Sequence, residues 1–379
     1  MGSLSPTATA AEPEGKTPSD TPRASSISRT LAIIWPAVND SRVPLPYSTP
    51  ALPGVGGALR TTPEDFEVEE VPAYSPSGEG DHTYLWIEKR GLTTPDAVAR
   101  LGAALGFDPR VAGVAGMKDR HALTRQWVSV ERLDPARAAG VALDGVRVLA
   151  MGRHTNRLKT GHLAANRFRI LLRDARDAGL AREIAGQLEK DGLANWFGEQ
   201  RFGRDGDNAA KAREFLSGRR PPPRDARLRR LLASAWQSEV FNRALAERVA
   251  RGGHSRAMGG DLCVKHASGG IFYERDPALL QPRLDAHEVS VTGPLFGAKM
   301  RWPEDEARSF EESLLAAELP APDALERERK VLPGARRPYR LLPGPIEVSL
   351  ESEGLRVCFV LPAGAYATIV LRELTKQSE

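Results

Sequence analysis

Cysteine and histidine are scarce in this chain of 379 residues, which contains only Cys263, Cys358 and seven histidines. Two cysteines permit at most one disulfide, which excludes a disulfide-rich scaffold and a cysteine-rich zinc site. The histidines are scattered and form neither an HExxH motif nor another convincing ligand spacing. We therefore expect no metal held by the protein, and we expect both cysteines to be small core residues.

Long apolar runs are also absent, since no segment approaches the roughly 18 residues that a membrane-spanning helix requires. The most apolar stretch near the start, LAIIWPAV at residues 31–38, is interrupted by Pro36. The first residues show no basic region followed by an apolar core, and Pro6 stands where an N-myristoylation signal requires Ser or Thr. These absences predict a cytoplasmic protein without a membrane segment.

Positive charge is modest overall but unevenly distributed. The formal net charge is +4, whereas residues 201–230 hold ten Lys or Arg against four acidic residues, a local excess of six. Such an excess favours a polyanionic partner such as a nucleic acid, although a solvated surface and linker produce the same pattern.

The order of sequence patterns predicts an α+β fold. Residues 1–52 are rich in Pro, Ser, Thr and Ala and bury too little apolar surface to order themselves, which predicts a disordered tail. Strand and helix patterns then alternate up to the basic, Pro-rich segment GRRPPPRDARLRR, and strand patterns return near the C-terminus. We expect a first domain from residues 53–220 and 342–379 with a mixed or antiparallel sheet. Residues 221–341 are expected to form a second, inserted α+β domain.

Local signals mark the first elements of the ordered part. Apolar residues alternate imperfectly along the first strand, at Phe66, Val68 and Val71. The stretch HTYLWIEKRG, residues 82–91, is predicted to be the partner strand. A helix follows, with Thr94 as its cap, Pro95 in its first turn and its end near Gly106.

A single carboxylate stands among basic residues in GVAGMKDRHALTRQ, residues 113–126. Positive charge beside Asp119 would lower its pKa and keep it ionised, as a nucleophile or an electrostatic stabiliser requires. The pattern alone favours a solvated loop aspartate, because adjacent strand residues point to opposite faces and most such triplets are turns.

A second distinctive stretch is NWFGEQRFGRDGDN, residues 195–208. Its aromatic rings could stack on an extruded base, and its Asn amide could bond the base's Watson–Crick edge. In isolation the same stretch is also typical of a Gly-rich turn after a helix.

Together with RTTPEDFEVEEVP at residues 60–72 and LPAGAYATIVLREL at residues 361–374, these two stretches resemble the TruD family of tRNA pseudouridine synthases. The four motifs stand in the family's order across essentially the whole predicted ordered chain. The resemblance implies a catalytic domain of the pseudouridine synthase type with a TRUD-type insertion. It also implies isomerisation of a tRNA uridine, typically position 13 in the D arm, without a cofactor.

The resemblance also implies roles for single residues. Asp119 aligns with the family nucleophile, which either attacks the anomeric carbon or promotes elimination to a glycal, and Arg60 is expected near it. The residues expected to contact substrate are Phe66, Asn195, Phe197 and Tyr366. Phe197 is expected to stack on the target base, whereas core packing is an alternative for each aromatic ring. Tyr366 departs from the Phe common in the family, and its hydroxyl would need a partner or water.

Neighbouring residues receive lesser roles. Lys118 and Arg120 are expected to position the loop or contact phosphate, His121 is expected to be structural, and Arg372 is either a site residue or an arginine on a helix surface. Two other classes of function stay open from the residues: an RNA-binding or tRNA-folding protein, and a carboxylate hydrolase using Glu199 as a second acid. We expect tRNA as the partner, a monomer, and no obligate protein partner.

Overall fold

The computed structural model describes residues 45–319 and 323–377, which form strands, nine helices of α type and short 3₁₀ turns. The strands are β1 (Phe66–Pro72), β2 (His82–Arg90), β3 (Gly113–Val114), β4 (Leu123–Glu131), β5 (Ala142–Leu143), β6 (Val146–His154), β7 (Leu163–Arg173), β8 (Leu193–Ala194), β9 (Asp261–Lys265), β10 (Ile271–Glu274), β11 (Val289–Leu295), β12 (Ala335–Pro338), β13 (Arg340–Leu341), β14 (Glu347–Leu350) and β15 (Gly354–Pro362). The helices are α1 (Thr94–Leu105), α2 (Pro135–Ala138), α3 (Ala178–Asp191), α4 (Asn208–Leu216), α5 (Ala226–Ala250), α6 (Pro277–Asp285), α7 (Asp305–Glu318), α8 (Ala324–Arg327) and α9 (Ala367–Thr375).

A mixed sheet is the main layer, and its strand order is β14-β15-β7-β1-β4-β2-β6-β5, with β3 also paired to β4. β1 runs parallel to β4 and antiparallel to β7. This arrangement confirms the predicted α+β class and the mixed sheet.

The predicted pairing of residues 82–91 with the first strand is wrong, because β4 lies between β1 and β2. β2 instead pairs antiparallel with β4 on one edge and with β6 on the other. Local spacing favoured a hairpin because the intervening loop has turn residues. The strand that takes the central place comes from later in the chain, so local spacing could not show it.

The buried face of β1 also differs from the predicted one. Phe66, Val68 and Glu70 are buried, whereas Val71 is only partly buried. The strict alternation of a strand therefore continues through an acidic residue. Glu70 is tolerated there because the Lys118 ammonium lies 3.3 Å from its carboxylate.

The predicted helix at residues 94–106 is confirmed as α1, but Thr93 rather than Thr94 is its N-cap. The Thr93 hydroxyl accepts a hydrogen bond from the Asp96 amide at 3.2 Å, and Gly106 ends the helix with φ +76°. Thr94 is buried and its hydroxyl bonds to other parts of the chain instead.

A second sheet with the order β10-β9-β11-β12 draws its strands from the segment 261–338, while β14 and β15 return to the main sheet. The long helix α5 packs on β11 and on α4. All described residues belong to one compact unit, so the division at residues 220 and 341 stays a prediction.

Ordered contacts begin before the predicted tail ends. The Glu373 carboxylate accepts hydrogen bonds from the Ser48 and Thr49 amides, at 2.8 and 3.2 Å, and Thr49 is buried. The predicted tail therefore extends too far, because its polar residues from 45 to 52 are held by α9 rather than by apolar burial. Residues 1–44 lie outside the described residues.

Cys263 is buried as expected, whereas Cys358 is only partly buried, and both thiols are free. Within the described ranges, no three His, Cys, Asp or Glu side chains come together as a potential metal site. In the same part of the chain, no helix is long and apolar enough to cross a membrane.

Candidate active site

Asp119 lies in the loop between β3 and β4, and the structure brings Arg60 to it. A guanidinium nitrogen (Nη2) of Arg60 is 3.4 Å from Oδ2 of Asp119, and the two side chains are 25% and 38% exposed. The Arg60 guanidinium also lies 4.4 Å from the ring centre of Phe66. A partly exposed carboxylate is therefore held beside a cation that an aromatic face fixes in place.

The backbone of Arg60 adopts an uncommon conformation, with φ +59°, in the left-handed region that non-glycine residues seldom occupy. Two positions before Arg60, the backbone N–H and C=O of Ala58 both bond to the backbone of Arg173 at the end of β7. This pairing with the sheet edge fixes the chain just before Arg60, which directs the arginine toward the Asp119 loop.

The Asp119 loop is anchored from below by buried polar groups. The Lys118 amide donates to the Thr94 hydroxyl at 2.9 Å, and the same hydroxyl donates to the Gln126 side chain at 2.9 Å. The Lys118 ammonium donates to Asn166 at 2.7 Å and is buried. Lys118 therefore positions the loop, and its burial leaves it unsuited to an RNA phosphate.

Lys89 is a loop anchor that the sequence did not reveal. Its side chain is fully buried, and its ammonium donates to the backbone carbonyls of Asp119 at 2.6 Å and Leu92 at 2.7 Å. Burial lowers its pKa from 10.5 to about 8, while the Asp119 charge opposes that shift. A lysine within the predicted strand at residues 82–91 was the only available signal.

We expect the stability of the protein to rise with pH between about 8 and 10.5 through Lys89. In that window the unfolded chain binds the Lys89 proton more tightly than the folded one, so proton loss favours folding. The contribution is at most about 1.4 kcal/mol per pH unit. Urea unfolding at several pH values would show a smaller rise for Lys89→Met than for wild type.

The exposed Lys159 supplies a matched control. Lys159→Met should keep the wild-type pH slope. An unchanged slope in Lys89→Met would contradict the assignment.

A second group of predicted residues gathers around a different arginine. The ring centres of Phe197 and Tyr366 are 6.1 Å apart, and the Arg337 guanidinium lies 4.2 Å from the Phe197 ring centre. Asn195 is buried, and its amide donates to the Pro338 carbonyl at 2.9 Å while its oxygen accepts from Arg337. Phe197 is only 6% exposed, so a base that stacks on the face under Arg337 must displace the guanidinium.

Asn242 of α5 secures Phe197 and was also missed. Its side-chain oxygen accepts from the Phe197 amide at 2.9 Å, and its nitrogen donates to the Phe197 carbonyl at 3.0 Å. An asparagine within the mostly apolar repeat of α5 was a possible signal.

A cavity of about 370 Å³ lies beside the Arg60 group and extends along α9. Arg60, Thr368 and Arg372 are among the residues that line it. Gly198, next to Phe197, packs so closely on Thr368 that an added Cβ would lie 3.3 Å from the threonine hydroxyl. The cavity and Thr368 therefore connect the Arg60 group with the Phe197 group, for which no direct contact is described.

Other candidate residues lie in minor positions. Arg120 is exposed and donates to the Gly91 carbonyl at 3.3 Å, and His121 is exposed. Arg372 donates to the Pro46 carbonyl at 3.4 Å and lies 3.9 Å from the Tyr47 ring centre, so it fastens the segment before the first strand to α9. Glu199 is exposed at the start of a short 3₁₀ turn.

The fold and these two groups of residues indicate the class of protein. An α+β protein with a carboxylate–guanidinium pair beside a cavity, and with aromatic and amide side chains nearby, has the features of an enzyme that acts on a base. A family model described as tRNA pseudouridine synthase D (TruD) matches residues 44–212 and 224–374. The chain therefore belongs to the TruD family.

Relatives support the same assignment. The chain is 49% identical to tRNA pseudouridine synthase D of Anaeromyxobacter dehalogenans over 339 residues, covering 88% of this chain and 96% of that protein. It is 43% identical to a protein of that name from Thermus thermophilus over 337 residues, covering 87% of this chain and 92% of the relative. A TruD crystal structure from Methanosarcina mazei has the same fold, with a TM-score of 0.67, 22% identity, and coverage of 86% of this chain and 95% of that one.

Proposed function

We propose that this protein isomerises a uridine of tRNA, at position 13 in the D arm, to pseudouridine. The observation that carries the proposal is the Arg60–Asp119 pair at 3.4 Å, in a chain that belongs to the TruD family. In this isomerisation the bond between C1′ and N1 breaks, the base rotates while held, and C1′ bonds to C5. N1 gains a proton and C5 loses one, so no redox cofactor or energy source is required.

Asp119 is the nucleophile in this proposal, and Arg60, 3.4 Å away, compensates the charge of its carboxylate beside the phosphates of the substrate. Phe66 supports Arg60 by stacking under its guanidinium. Phe197 stacks on the uracil once Arg337 has moved from the ring face, and Asn195 and Tyr366 complete the pocket. We further propose a cytoplasmic monomer that needs no partner other than tRNA.

Site mapping of pseudouridine by mass spectrometry, on unmodified bulk tRNA incubated with the protein, tests the proposal. We expect product at a single D-arm uridine. Product at another uridine would contradict the assignment of position 13. Tight tRNA binding without any product would favour the RNA-binding alternative, and release of free uracil would favour the hydrolase.

We expect tRNA affinity to fall as salt rises, because phosphate contacts release counterions. In the basic segment 201–230, Lys211, Arg213, Arg220 and Arg229 form ion pairs with carboxylates. Six of the ten cations therefore lack a carboxylate partner among the described residues, namely Arg201, Arg204, Arg219, Arg224, Arg227 and Arg230.

The unpaired cations of this segment can therefore make at most six phosphate contacts. Each phosphate contact contributes about 0.9 to the slope of log affinity against log salt concentration. Filter binding at salt concentrations from roughly 50 to 300 mM gives the slope. Arg224→Gln should reduce the magnitude of this slope by about 0.9, the contribution of one phosphate contact. An affinity that does not change with salt would contradict the phosphate contacts.

A further inference from the structure

Arg337 and Arg201 flank Phe197 without a carboxylate partner among the described residues. Arg337 donates to the carbonyl of Gly364 at 3.1 Å and to the backbone and amide oxygens of Asn195. Arg201 donates to the hydroxyls of Ser238, at 3.1 Å, and Ser234. All of these acceptors are neutral, so neither positive charge is compensated by the contacts that hold it.

Arg336, which precedes Arg337 in the chain, does have a carboxylate partner. Arg336 bonds the Glu311 carboxylate through two nitrogens, each at 2.7 Å, and both side chains are almost fully buried. A buried guanidinium ordinarily has such a partner, because an unpaired charge is costly to remove from water. Arg337 and Arg201 lack a carboxylate partner among the described residues, and both lie beside Phe197 in the proposed substrate pocket.

The lowered pKa of Arg337 agrees with a cation that lacks an anionic partner. Burial lowers the pKa of Arg337 to about 10, and the like charge of Arg201 acts in the same direction. The guanidinium nevertheless stays protonated at neutral pH. An anion placed between these side chains would offset the free-energy cost of removing the charges from water and would reduce the repulsion between the two arginines.

The position of the two cations indicates which anion arrives. Their guanidinium carbons lie 4.2 Å (Arg337) and 5.7 Å (Arg201) from the ring centre of Phe197. A nucleotide that swings its base into this pocket brings its own phosphodiester with it. Arginine is well suited to that group, because its planar fork binds two phosphate oxygens at once.

We propose that Arg337 and Arg201 form a binding site for the RNA phosphate adjacent to the flipped nucleotide. The proposal rests on the proposed function in assuming that the base enters beside Phe197. Arg337 covers that ring in the structure and bonds Asn195, so its movement to the phosphate uncovers both residues. Phosphate binding and base stacking are thereby coupled through one side chain.

The test uses tRNA assembled from synthetic pieces, with one phosphate at a time near the target uridine replaced by an uncharged methylphosphonate. Dissociation constants are measured in the Asp119→Asn protein, so that the RNA is not consumed, with and without Arg337→Gln. We expect one linkage whose neutralisation weakens binding about 10-fold or more, the effect of a charge-assisted hydrogen bond. With Arg337→Gln added, the same neutralisation should weaken binding less than about 2-fold further.

Arg275→Gln is the matched control, since Arg275 is exposed and its charge pairs with the Glu304 carboxylate. It should keep the full penalty at that linkage. A penalty that is the same with and without Arg337→Gln at every linkage would overturn the proposal. Arg201→Gln repeats the test if Arg337→Gln fails to fold, as judged by its thermal unfolding.

The outcome is separate from that of the proposed function, because it is read from binding alone. Failure of the wild-type protein to form pseudouridine would reject the isomerase proposal whatever the methylphosphonate result. Product formation together with equal penalties would reject the phosphate site and retain the isomerase.

Discussion

Asp119→Asn is expected to reduce pseudouridine formation by about 10⁴-fold or more while tRNA binding stays within a few-fold of wild type. An amide has nearly the shape of the carboxylate but is not a nucleophile, so only the chemical step should be lost. The side chain is partly exposed and its charge pairs with Arg60 alone among the described residues. Its replacement should therefore leave the fold intact.

Single-turnover assays with mass spectrometric detection measure the effect, and fluorescence anisotropy measures tRNA binding. Asp144→Asn is a suitable control because that carboxylate is 98% exposed and pairs with Arg100 instead of Arg60. It should retain wild-type rates. Substantial pseudouridine from Asp119→Asn would reject the nucleophile assignment.

Arg60→Met should lower kcat about 100-fold with a smaller effect on KM. The guanidinium lies 3.4 Å from the Asp119 carboxylate and is supported by the Phe66 ring, so it is already placed for the charge that it compensates. Methionine keeps a long side chain and meets the same backbone requirement at φ +59°, which isolates the loss of charge.

Arg120→Met is the matched control for Arg60→Met. Arg120 is next to Asp119 in sequence, but its side chain bonds the Gly91 carbonyl instead of the carboxylate. We expect its rate to stay within about 2-fold of wild type, as is usual for an exposed residue without a special contact. Equal losses in both variants would show that general positive charge, not the Arg60 contact, governs the rate.

Local sequence signals were sufficient where the governing interactions are local. The helix α1 was predictable because Pro95 and Gly106 mark its two ends. The pairing of β1 with β4 and the burial of Glu70 were not predictable, because each depends on a partner from a later part of the chain. The same limit applied to residues 45–52, which are ordered by contacts with Glu373.

The sequence by itself determined the candidate residues of the site, because four short motifs resemble those of the TruD family and carry the residue types that its chemistry needs. Asp119, Phe197 and Asn195 were predicted in this way, and their roles stay predictions. Arg60 was expected near Asp119 from the resemblance, but only the tertiary structure showed which other cations contact these residues. Arg337 reaches the Asn195 amide across 142 positions of the chain, and Lys89 is buried beneath the Asp119 backbone. Such contacts depend on how sheets and loops pack, and burial then sets how strongly each charge acts.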